Sequence, residues 1–379
     1  MPTTVKITVR QMMIIIIMFT IGTTILVAPS TMAQASGQDA WISASVGVLV
    51  GLGIGWLYAS IGMLYPGHNL LQIHELILGK WIGKLVSLLF VLTMLLFCSQ
   101  VLYYIGNFLA TQFFPSTPIQ FLILLFLIIP VVSLRLGIEP FARAAEIFFP
   151  WFLFLFLFLV LFILPKAEIT NIQPVLEASP KDLVKGVLWF ISITYLTAPA
   201  LLMFFPLCIN DTSTFRRGFM LSNLIGGFML VLIIMLSILV LNPKITVLYN
   251  YSSFILGRQI NIGDFFQRME AVVAIIWFLT IFVKLTMYCF SAITGLAQLL
   301  KLRSYRSIIV PTSVLIATGA LIVYPNNAYM QKWDTDTWIP YSLLLGILYP
   351  LLLYVIGSIR KNREGRKSSP SLFLFFLSS

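Results

Sequence analysis

The polar side chains most able to do chemistry lie inside an apolar stretch, Ala271–Ile293, and include a lysine. Four of them are spaced at i, i+4, i+8 and i+11, which places them on one face of a helix: Thr280, Lys284, Tyr288 and Ser291. An ammonium group at the centre of a bilayer is costly unless it meets an acceptor or water, so Lys284 is a candidate functional residue. We expect this face to line an interior that binds or passes a polar group. The alternative is a buried lysine that is only paired structurally with a carbonyl or hydroxyl group.

The composition of the chain indicates what must position this lysine. Of the 379 residues, 59% are hydrophobic and 10% charged, and the mean hydropathy is +0.99. Soluble domains are not this apolar, whereas α-helical membrane proteins are. We expect one membrane domain over residues 1–379. The net charge of +11 could suggest nucleic acid, but the basic residues follow membrane topology, so we expect membrane lipid and no nucleic acid as a partner.

Ten apolar segments are each near the roughly 20 residues needed to cross a hydrocarbon core of about 30 Å. They are Met12–Pro29, Trp41–Tyr65, Ile82–Thr111, Ile119–Leu134, Glu146–Leu164, Val187–Phe205, Gly218–Leu241, Ala271–Gly295, Ile308–Tyr324 and Trp338–Ile359. We therefore predict an all-α polytopic membrane protein with ten transmembrane helices and a basic cytoplasmic tail over residues 360–379.

Lysine and arginine are distributed unevenly between the two sides of these spans. If the N-terminus is cytoplasmic, about sixteen lie in cytoplasmic segments and seven in outer segments, with Lys284 inside the membrane. Cytoplasmic loops are enriched in basic residues, so both termini are predicted to be cytoplasmic. The long outer connections, Pro165–Gly186 and Asn242–Glu270, each have room for a short surface helix or lid. Arg268 and Glu270 are expected to form a charge pair at the outer mouth.

Two predicted spans carry glycine, proline and hydroxyl residues where a span is usually most apolar. These residues are Gly22, Thr23, Thr24 and Pro29 in the first span, and Thr194, Tyr195, Thr197 and Pro199 in the sixth. Either set alone is typical of an ordinary kink. Together they occupy equivalent positions of two five-span halves of opposite topology, residues 11–164 and 187–359. Paired interruptions of this kind indicate an inverted-repeat transporter fold, whose half-helix N-termini face an anionic group.

The chain resembles a known family at these positions. Gly22-Thr23-Thr24-Ile25-Leu26-Val27-Ala28-Pro29 looks like the first-span motif of the amino acid–polyamine–organocation (APC) transporters. The stretch Phe266-Gln267-Arg268-Met269-Glu270, followed by Trp277 and Phe282-Val283-Lys284, resembles one branch, the B subunits of endospore germinant receptors (GerAB-like permeases). The resemblance covers nearly the whole chain in length, span count and loop pattern. Thr197 departs from it, because relatives usually carry a glycine there.

The resemblance implies both a fold and a function. The fold is a 5+5 inverted repeat of the LeuT/APC type with broken helices 1 and 6. The function is a small-molecule-sensing subunit that binds a nutrient such as an L-amino acid. It works with germinant-receptor A and C subunits in the inner membrane of bacterial spores and triggers germination. The alternative is an amino-acid/cation permease that works by alternating access. An ion or water channel is less favoured, because the sequence shows neither a ring of charges nor a carbonyl filter motif.

The candidate site residues come from four spans. The predicted ligand-binding residues are Gly22, Thr23, Thr24, Gln100, Tyr104, Thr194, Tyr195 and Thr197. The third-span residues belong to a helical stripe that either makes interhelical hydrogen bonds or, as the resemblance implies, places a tyrosine over the ligand. In this fold the eighth span lies beside the break in the first, where sodium-coupled relatives hold a cation. Lys284, with Thr280, is therefore expected to replace that ion by donating to carbonyls around Gly22 and Thr24. If burial lets the lysine titrate, it can couple ligand binding to protons.

No catalytic pattern accompanies these residues. The sequence has no Gly-rich phosphate loop with a Lys-Ser/Thr pair and no Ser-His-Asp set in a credible context. His68 and His74 lack metal-ligand spacing, and Cys98, Cys208 and Cys289 are isolated and are expected to be small packing residues. We expect no enzyme activity, no metal and no cofactor, and instead the binding or passage of a small molecule.

Overall fold

Helices make up most of the described backbone. The computed structural model describes residues 7–208, 212–260 and 269–368. In the first half the α-helices are α1 (Val9–Ile21), α2 (Thr24–Ser36), α3 (Ala40–Leu64), α4 (Leu70–Leu78), α5 (Lys80–Gln112), α6 (Ile119–Leu136) and α7 (Ile138–Ile163). In the second half they are α8 (Pro180–Thr194), α9 (Phe205–Cys208), α10 (Thr212–Leu248), α11 (Ser252–Arg258), α12 (Glu270–Leu299), α13 (Ile309–Ile322), α14 (Asn327–Lys332), α15 (Trp338–Leu343) and α16 (Tyr349–Ser368). The predicted motif residues 266–268, including Arg268, and the tail residues 369–379 lie outside the described ranges.

Most of the long helices are apolar enough to cross a membrane, as the composition predicts. Within the described ranges, nine helical stretches have the necessary length and hydropathy, and α1 is a shorter apolar helix. One of the nine, Thr24–Leu64, joins α2 to α3 through a single 3₁₀ turn, Gly37–Asp39. The chain is a multi-pass integral membrane protein, and the count of ten spans stays a prediction.

The first predicted break is confirmed. α1 ends at Ile21, Gly22 leaves the helical region with φ 18° and ψ −115°, and α2 begins at Thr24. The prediction that this span ends at Pro29 is wrong, because α2 continues to Ser36. A proline removes the hydrogen bond that its N–H would give to the carbonyl four residues earlier, here that of Ile25. Ser253 Oγ donates to this carbonyl instead, at 2.6 Å, which lets the helix run past the proline.

The second predicted break is also confirmed. α8 ends at Thr194, a short turn follows, and the chain continues as a 3₁₀ helix, Ala198–Met203. Pro199 lies at the start of this 3₁₀ helix, where an N–H group would have no acceptor within the helix, so its absence costs no hydrogen bond. Residues 191–206 are all buried. Irregular backbone at membrane depth is tolerated only inside protein or beside a cavity, and this segment satisfies that condition.

The last span begins earlier than the sequence predicts. The predicted start is Trp338, but α14 already begins at Asn327. A π-helical turn, Trp333–Thr337, carries the chain into α15, and a second one, Leu344–Leu348, joins α15 to α16. The prediction is wrong because the two aspartates of the first π-helical turn lower the local hydropathy although the backbone stays helical. Single π turns inside helices are common at functional sites.

Two further elements differ from the prediction. α7 begins at Ile138, before the predicted Glu146, because its first turns are helical but polar. The short helix expected at the surface of Asn242–Glu270 is α11, which is instead buried and packs on α2, α10 and α12. Its inward position is what brings Ser253 to the carbonyl of Ile25.

The outer helices and the central helix of the bundle are exposed very differently. On α7, Trp151 is 65%, Phe154 60% and Leu161 65% exposed. Large apolar side chains exposed in this way face lipid in a membrane protein. α12, in contrast, is buried along most of its length and packs against α1, α5 and α7. Lys284 therefore lies inside the protein and not at the lipid boundary, with 1% of its surface exposed.

Candidate functional site

Both breaks adjoin one cavity in the bundle, which we call the break cavity. Its volume is about 500 Å³, within the roughly 300–1,000 Å³ of small-molecule pockets. Its wall is formed by α2, α5, α8 with the following turn, α12, residues 247–251 at the junction of α10 and α11, and the segment from Tyr324 through α14 to α15. The predicted site residues in this wall are Thr23, Gln100, Tyr104, Thr197 and Lys284.

The first break presents the N-terminal end of α2 to the cavity. Thr23 caps this helix without a side-chain hydrogen bond, and it lines the cavity. Within the described ranges, neither Thr23 Oγ1 nor Thr24 Oγ1 has a hydrogen-bond partner. The first N–H groups of a helix have no intrahelical acceptor and carry a partial positive charge. This end of the cavity is therefore suited to an anionic group such as a carboxylate.

The second break is the acceptor for Lys284. Lys284 Nζ donates to the carbonyl of Ile193 at 3.1 Å, in the last turn of α8. That carbonyl has no intrahelical partner because the helix ends at Thr194, and a cation is favourable at the C-terminal end of a helix. Nζ also lies 5.3 Å from the centre of the Phe19 ring. The lysine thus contacts both broken spans, and its ammonium group is hydrogen-bonded to the second one.

The expected acceptors of Lys284 differ from those observed. The sequence predicts donation to carbonyls around Gly22 and Thr24, whereas the observed acceptor is Ile193 O. The aliphatic part of the lysine passes over the first break, since a Cβ on Gly22 would lie 2.5 Å from Lys284 Cδ. The glycine gives the side chain room to cross, and its tip then reaches the second break. The predicted helix is correct, but the sequence does not fix how far along it a flexible side chain extends.

The polar stripe of the third span both lines the cavity and bonds to neighbouring helices. Gln100 Nε2 donates to Tyr324 Oη at 2.9 Å, and Tyr104 Oη donates to the Asp334 carboxylate. Asn107 Nδ2 donates to Tyr251 Oη at 2.8 Å. The two interpretations of this stripe are therefore compatible, because Gln100 and Tyr104 make interhelical bonds and still face the cavity.

The other predicted ligand-binding residues are near the breaks but outside the cavity wall. Tyr195 points away from it, between two helices: a Cβ on Gly51 would lie 2.2 Å, and one on Gly227 2.1 Å, from Tyr195 atoms. Its Oη donates to Asn223 O at 3.2 Å. Thr194 is buried behind the wall, as are Gly22 and Thr24. The paired glycines at 51 and 227 were the only sequence signal that a large ring would lie there.

Thr280 and Ser291 share the face of α12 that carries Lys284, but they do not line the cavity. Thr280 Oγ1 donates to the carbonyls of Ile276 and Trp277 on its own helix. Ser291 Oγ donates to Ala200 O at 2.8 Å, on the 3₁₀ helix after the second break. This face of α12 thus contacts the second broken span at two levels, through Lys284 and Ser291.

Sequence reasoning missed several residues of the cavity wall. They are Gln34, Trp189, Asn250, Tyr251, Tyr324, Asp334 and Trp338, whereas Tyr288 lies on the face that the sequence predicts to line an interior. Asp334 lies in the polar segment between the predicted ninth and tenth spans, Ile308–Tyr324 and Trp338–Ile359. The available signal was a carboxylate between two tryptophans, Trp333 and Trp338, immediately before an apolar span.

The histidines and cysteines do not form a metal site in the described part of the chain. His74, on α4 outside the predicted spans, is fully buried, with Nδ1 2.9 Å from Ser87 Oγ and Nε2 in contact with Tyr349 Oη. Burial lowers the pKa of His74 to about 3. Cys98 and Cys289 are both buried as free thiols and contact each other across α5 and α12. These two cysteines are far apart in the sequence, and the packing of α5 against α12 brings them together.

A second cavity lies near the segments predicted to be cytoplasmic, and we call it the basic cavity. Its volume is about 970 Å³. Its basic residues are Arg143, Lys301, Arg303 and Arg306. The segment after the second break reaches it as well, through Met203 and Phe204. The buried residues 198–202 of the 3₁₀ helix lie in sequence between the walls of the two cavities.

The helices and the two interrupted spans around the cavity have the LeuT fold. The structure is similar to MhsT in complex with L-phenylalanine, with TM-score 0.62, 13% identity and coverage of 93% of this chain and 96% of that one. It is also similar to Mhp1, a nucleobase-cation-symport-1 family transporter with bromovinylhydantoin bound, with TM-score 0.59, 15% identity and coverage of 91% and 76%.

Comparison of the sequence with known proteins identifies the family. Residues 6–328 match the family described as "Spore germination protein". The chain is 25% identical to spore germination protein KB of Bacillus subtilis (strain 168) over 95% of this chain and 96% of that protein. It is 24% identical to spore germination protein GerLB of Bacillus cereus over 89% and 90%. The chain therefore belongs to the spore germination protein family.

Proposed function

We propose that this protein is the nutrient-sensing transmembrane subunit of a spore germinant receptor and that it binds an L-amino acid in the break cavity. One observation carries the proposal: both interrupted spans adjoin a cavity of about 500 Å³, and a fully buried lysine in its wall is bonded to the second break. The family membership and the names of the relatives support the link to germination.

The charges of the cavity suggest how an amino acid would lie in it. The ligand carboxylate would accept hydrogen bonds from the first N–H groups of α2 and from Thr23 Oγ1, which has no partner within the described ranges. Lys284 would hold the second break in place by its bond to Ile193 O. Occupancy can shift the protein between two arrangements only if the ligand binds them with different affinity. The two broken spans, joined through Lys284, are the elements whose arrangement we expect to change.

We infer that a receptor of this kind works with A and C subunits in the inner spore membrane, with both termini cytoplasmic. The resemblance of the sequence to germinant-receptor B subunits and the distribution of basic residues support this arrangement. Copurification from spores tests it, because a receptor subunit should be recovered together with other subunits.

The binding site is tested by a pair of variants. Thr23→Val removes the hydroxyl at the α2 end of the cavity while keeping the side-chain shape. Thr286→Val is the matched control, because Thr286 is also buried without a partner in the described residues but is not in the cavity wall. Spores carrying T23V should need at least about tenfold more amino acid to germinate, and T286V spores should respond normally. Equal responses of the two variants would contradict the proposal that the ligand carboxylate binds at Thr23.

A specific observation favours a second function, an amino-acid/cation permease. The segment that follows the second break lines the break cavity through Thr197 and the basic cavity through Met203. A cavity on each side of one broken span is the arrangement that alternating access requires. Liposomes that contain only this chain decide between the two functions. Uptake of labelled amino acids against a sealed control favours the permease, and binding without uptake favours the receptor.

A further inference from the structure

Among the described residues, a carboxylate in the wall of the break cavity has no cationic partner. Asp334 lies on the π-helical turn Trp333–Thr337 and accepts a hydrogen bond from Tyr104 Oη. A carboxylate offers about four acceptor positions, so one phenol leaves most of them unused. Within the described ranges no ion pair includes Asp334. Asp334 is partly buried, and a carboxylate that has lost part of its hydration is stabilised by a cationic partner, so it is suited to a cation that enters the cavity.

Aromatic side chains surround the same position. Tyr104, Tyr251, Tyr324 and Trp338 line the cavity together with Asp334. The rings of Tyr104 and Tyr324 pack edge to face at 6.1 Å, and Gln100 fixes the Tyr324 hydroxyl. Organic ammonium groups bind to aromatic faces through cation–π attraction and to carboxylates through charge-assisted hydrogen bonds. The wall provides both kinds of group at one place.

The lysines of the cavity are placed so that they leave this carboxylate available. Lys284 Nζ is engaged by Ile193 O and by the face of the Phe19 ring. Lys332 also lines the break cavity, and it is exposed to solvent. The cavity therefore combines a cation already bound to the protein with a carboxylate that, in the described part of the chain, is hydrogen-bonded to a single phenol.

We propose that Asp334, enclosed by Tyr104, Tyr324 and Trp338, binds the ammonium nitrogen of the ligand and selects amine-bearing nutrients over neutral ones such as sugars. The proposal rests on the proposed function and adds the specificity-determining residue of its site. Asp334 is a positioning and recognition residue for the ligand. Its place on the π-helical turn directs it into the cavity, whereas Asp336 of the same turn is exposed and outside the wall.

Binding to the purified full-length chain in lipid nanodiscs tests this inference. The probes are the twenty common L-amino acids, the 2-hydroxy acids that replace the amine of each binding amino acid by a hydroxyl, and glucose. The wild type should bind at least one amino acid and should bind its 2-hydroxy acid about ten- to a hundredfold more weakly. This comparison needs no variant, so it stands even if a substitution prevents folding.

Two matched variants locate the effect. Asp334→Asn keeps the size of the side chain and should weaken amino-acid binding about ten- to a hundredfold, with little change for the 2-hydroxy acid. Asp336→Asn removes the same charge from the same turn and should leave both affinities unchanged. If D334N and wild type bind the amino acid equally, the inference is overturned while the proposed nutrient site stands. If glucose binds to the wild type and no amino acid does, the inference and the proposed amino-acid ligand both fail. Binding of no amino acid at all also overturns the inference.

Discussion

The two cavities of this protein hold their charges in different ways. In the break cavity, Lys284 is 1% exposed and is bonded to a carbonyl that only a helix break makes available. In the basic cavity, Lys301, Arg303 and Arg306 are exposed, and Arg143 pairs with Glu139 one turn away at 2.5 Å. Buried charges depend on a unique set of partners, whereas exposed ones are solvated whatever their neighbours do. Function should therefore be sensitive to single changes in the first cavity and tolerant in the second.

The largest effect is expected from Lys284→Met. The apolar side chain removes the cost of a buried charge but leaves the Ile193 carbonyl without its donor, so the melting temperature should fall only by a few degrees. The nutrient response of spores should nevertheless be lost, because the end of α8 then loses its bond to α12, and Ser291 contacts only the 3₁₀ helix beyond the break. Lys181→Met is the control, since it makes the same change at an exposed position of α8 outside the cavity wall, and its response should stay close to that of the wild type. A full response from correctly assembled K284M would show that this lysine is only structural.

The next effect concerns the glycine beneath the lysine. Gly22→Ala places a Cβ 2.5 Å from Lys284 Cδ and 2.9 Å from the carbonyl oxygen of Phe19. Overpacking of this kind should lower the free energy of unfolding by about 1–3 kcal/mol and displace the lysine. Gly53→Ala on α3 is the matched control, because nothing lies within 4 Å of its Cβ. It should be neutral or stabilising by up to about 1 kcal/mol. Thermal unfolding of both variants measures the difference, and equal stabilities would argue against close contact at the break.

His74 extends the comparison to a buried group near the basic cavity. Burial lowers its pKa to about 3, so the unfolded chain binds a proton at a higher pH than the folded chain does. The stability that His74 contributes is complete above its ordinary pKa of about 6.5 and is lost as the pH falls. Between about pH 7 and pH 5 the loss should be on the order of 2 kcal/mol.

The pH dependence is measured as the unfolding free energy of wild type and two variants. His74→Gln should flatten the slope between neutral and acid pH. His68→Gln should retain it, because His68 lies in a loop and only contacts the carbonyl of Pro66. An unchanged slope in H74Q would mean that other groups govern the acid sensitivity.

An effect on stability of similar size, without an expected change in the nutrient response, is predicted where Ser253 replaces the hydrogen bond that Pro29 removes. Ser253→Ala should destabilise the protein by about 1–3 kcal/mol, because the buried carbonyl of Ile25 is left unpaired. In the background of Pro29→Ala the helix can supply its own N–H to that carbonyl. The same serine change should then cost less, and a double-mutant cycle measures the coupling. Strict additivity would contradict the exchange of donors.

The smallest effect is expected in the basic cavity. Arg143→Gln breaks an ion pair whose side chains are 68% and 41% exposed. Exposed pairs contribute about 0–1 kcal/mol, so unfolding should shift by less than about 0.5 kcal/mol and the nutrient response should be unaltered. A strong loss of the nutrient response in R143Q would contradict the expectation that the basic cavity tolerates single changes, and would indicate that this cavity has a function.

The local pattern of the sequence was enough to predict the broken spans and the face that carries Lys284. Helical spacing places Lys284, Tyr288 and Ser291 on one side of α12 whatever surrounds it. Glycine and hydroxyl residues mark both breaks, because they weaken the helix or bond its freed groups. Hydropathy likewise gave the membrane class. These properties depend on residues close in the chain, so the sequence by itself determines them.

The partners of these residues were decided only by the tertiary structure. Lys284 reaches Ile193 O instead of the first break, and Tyr195 turns toward Gly51 and Gly227. Asp334 enters the cavity because a π turn keeps a polar segment helical. Each of these side-chain positions depends on contacts between residues far apart in sequence, and hydropathy averaged along the chain contains no information about such contacts. Close packing permits only one of the positions that a long side chain could occupy on its own helix.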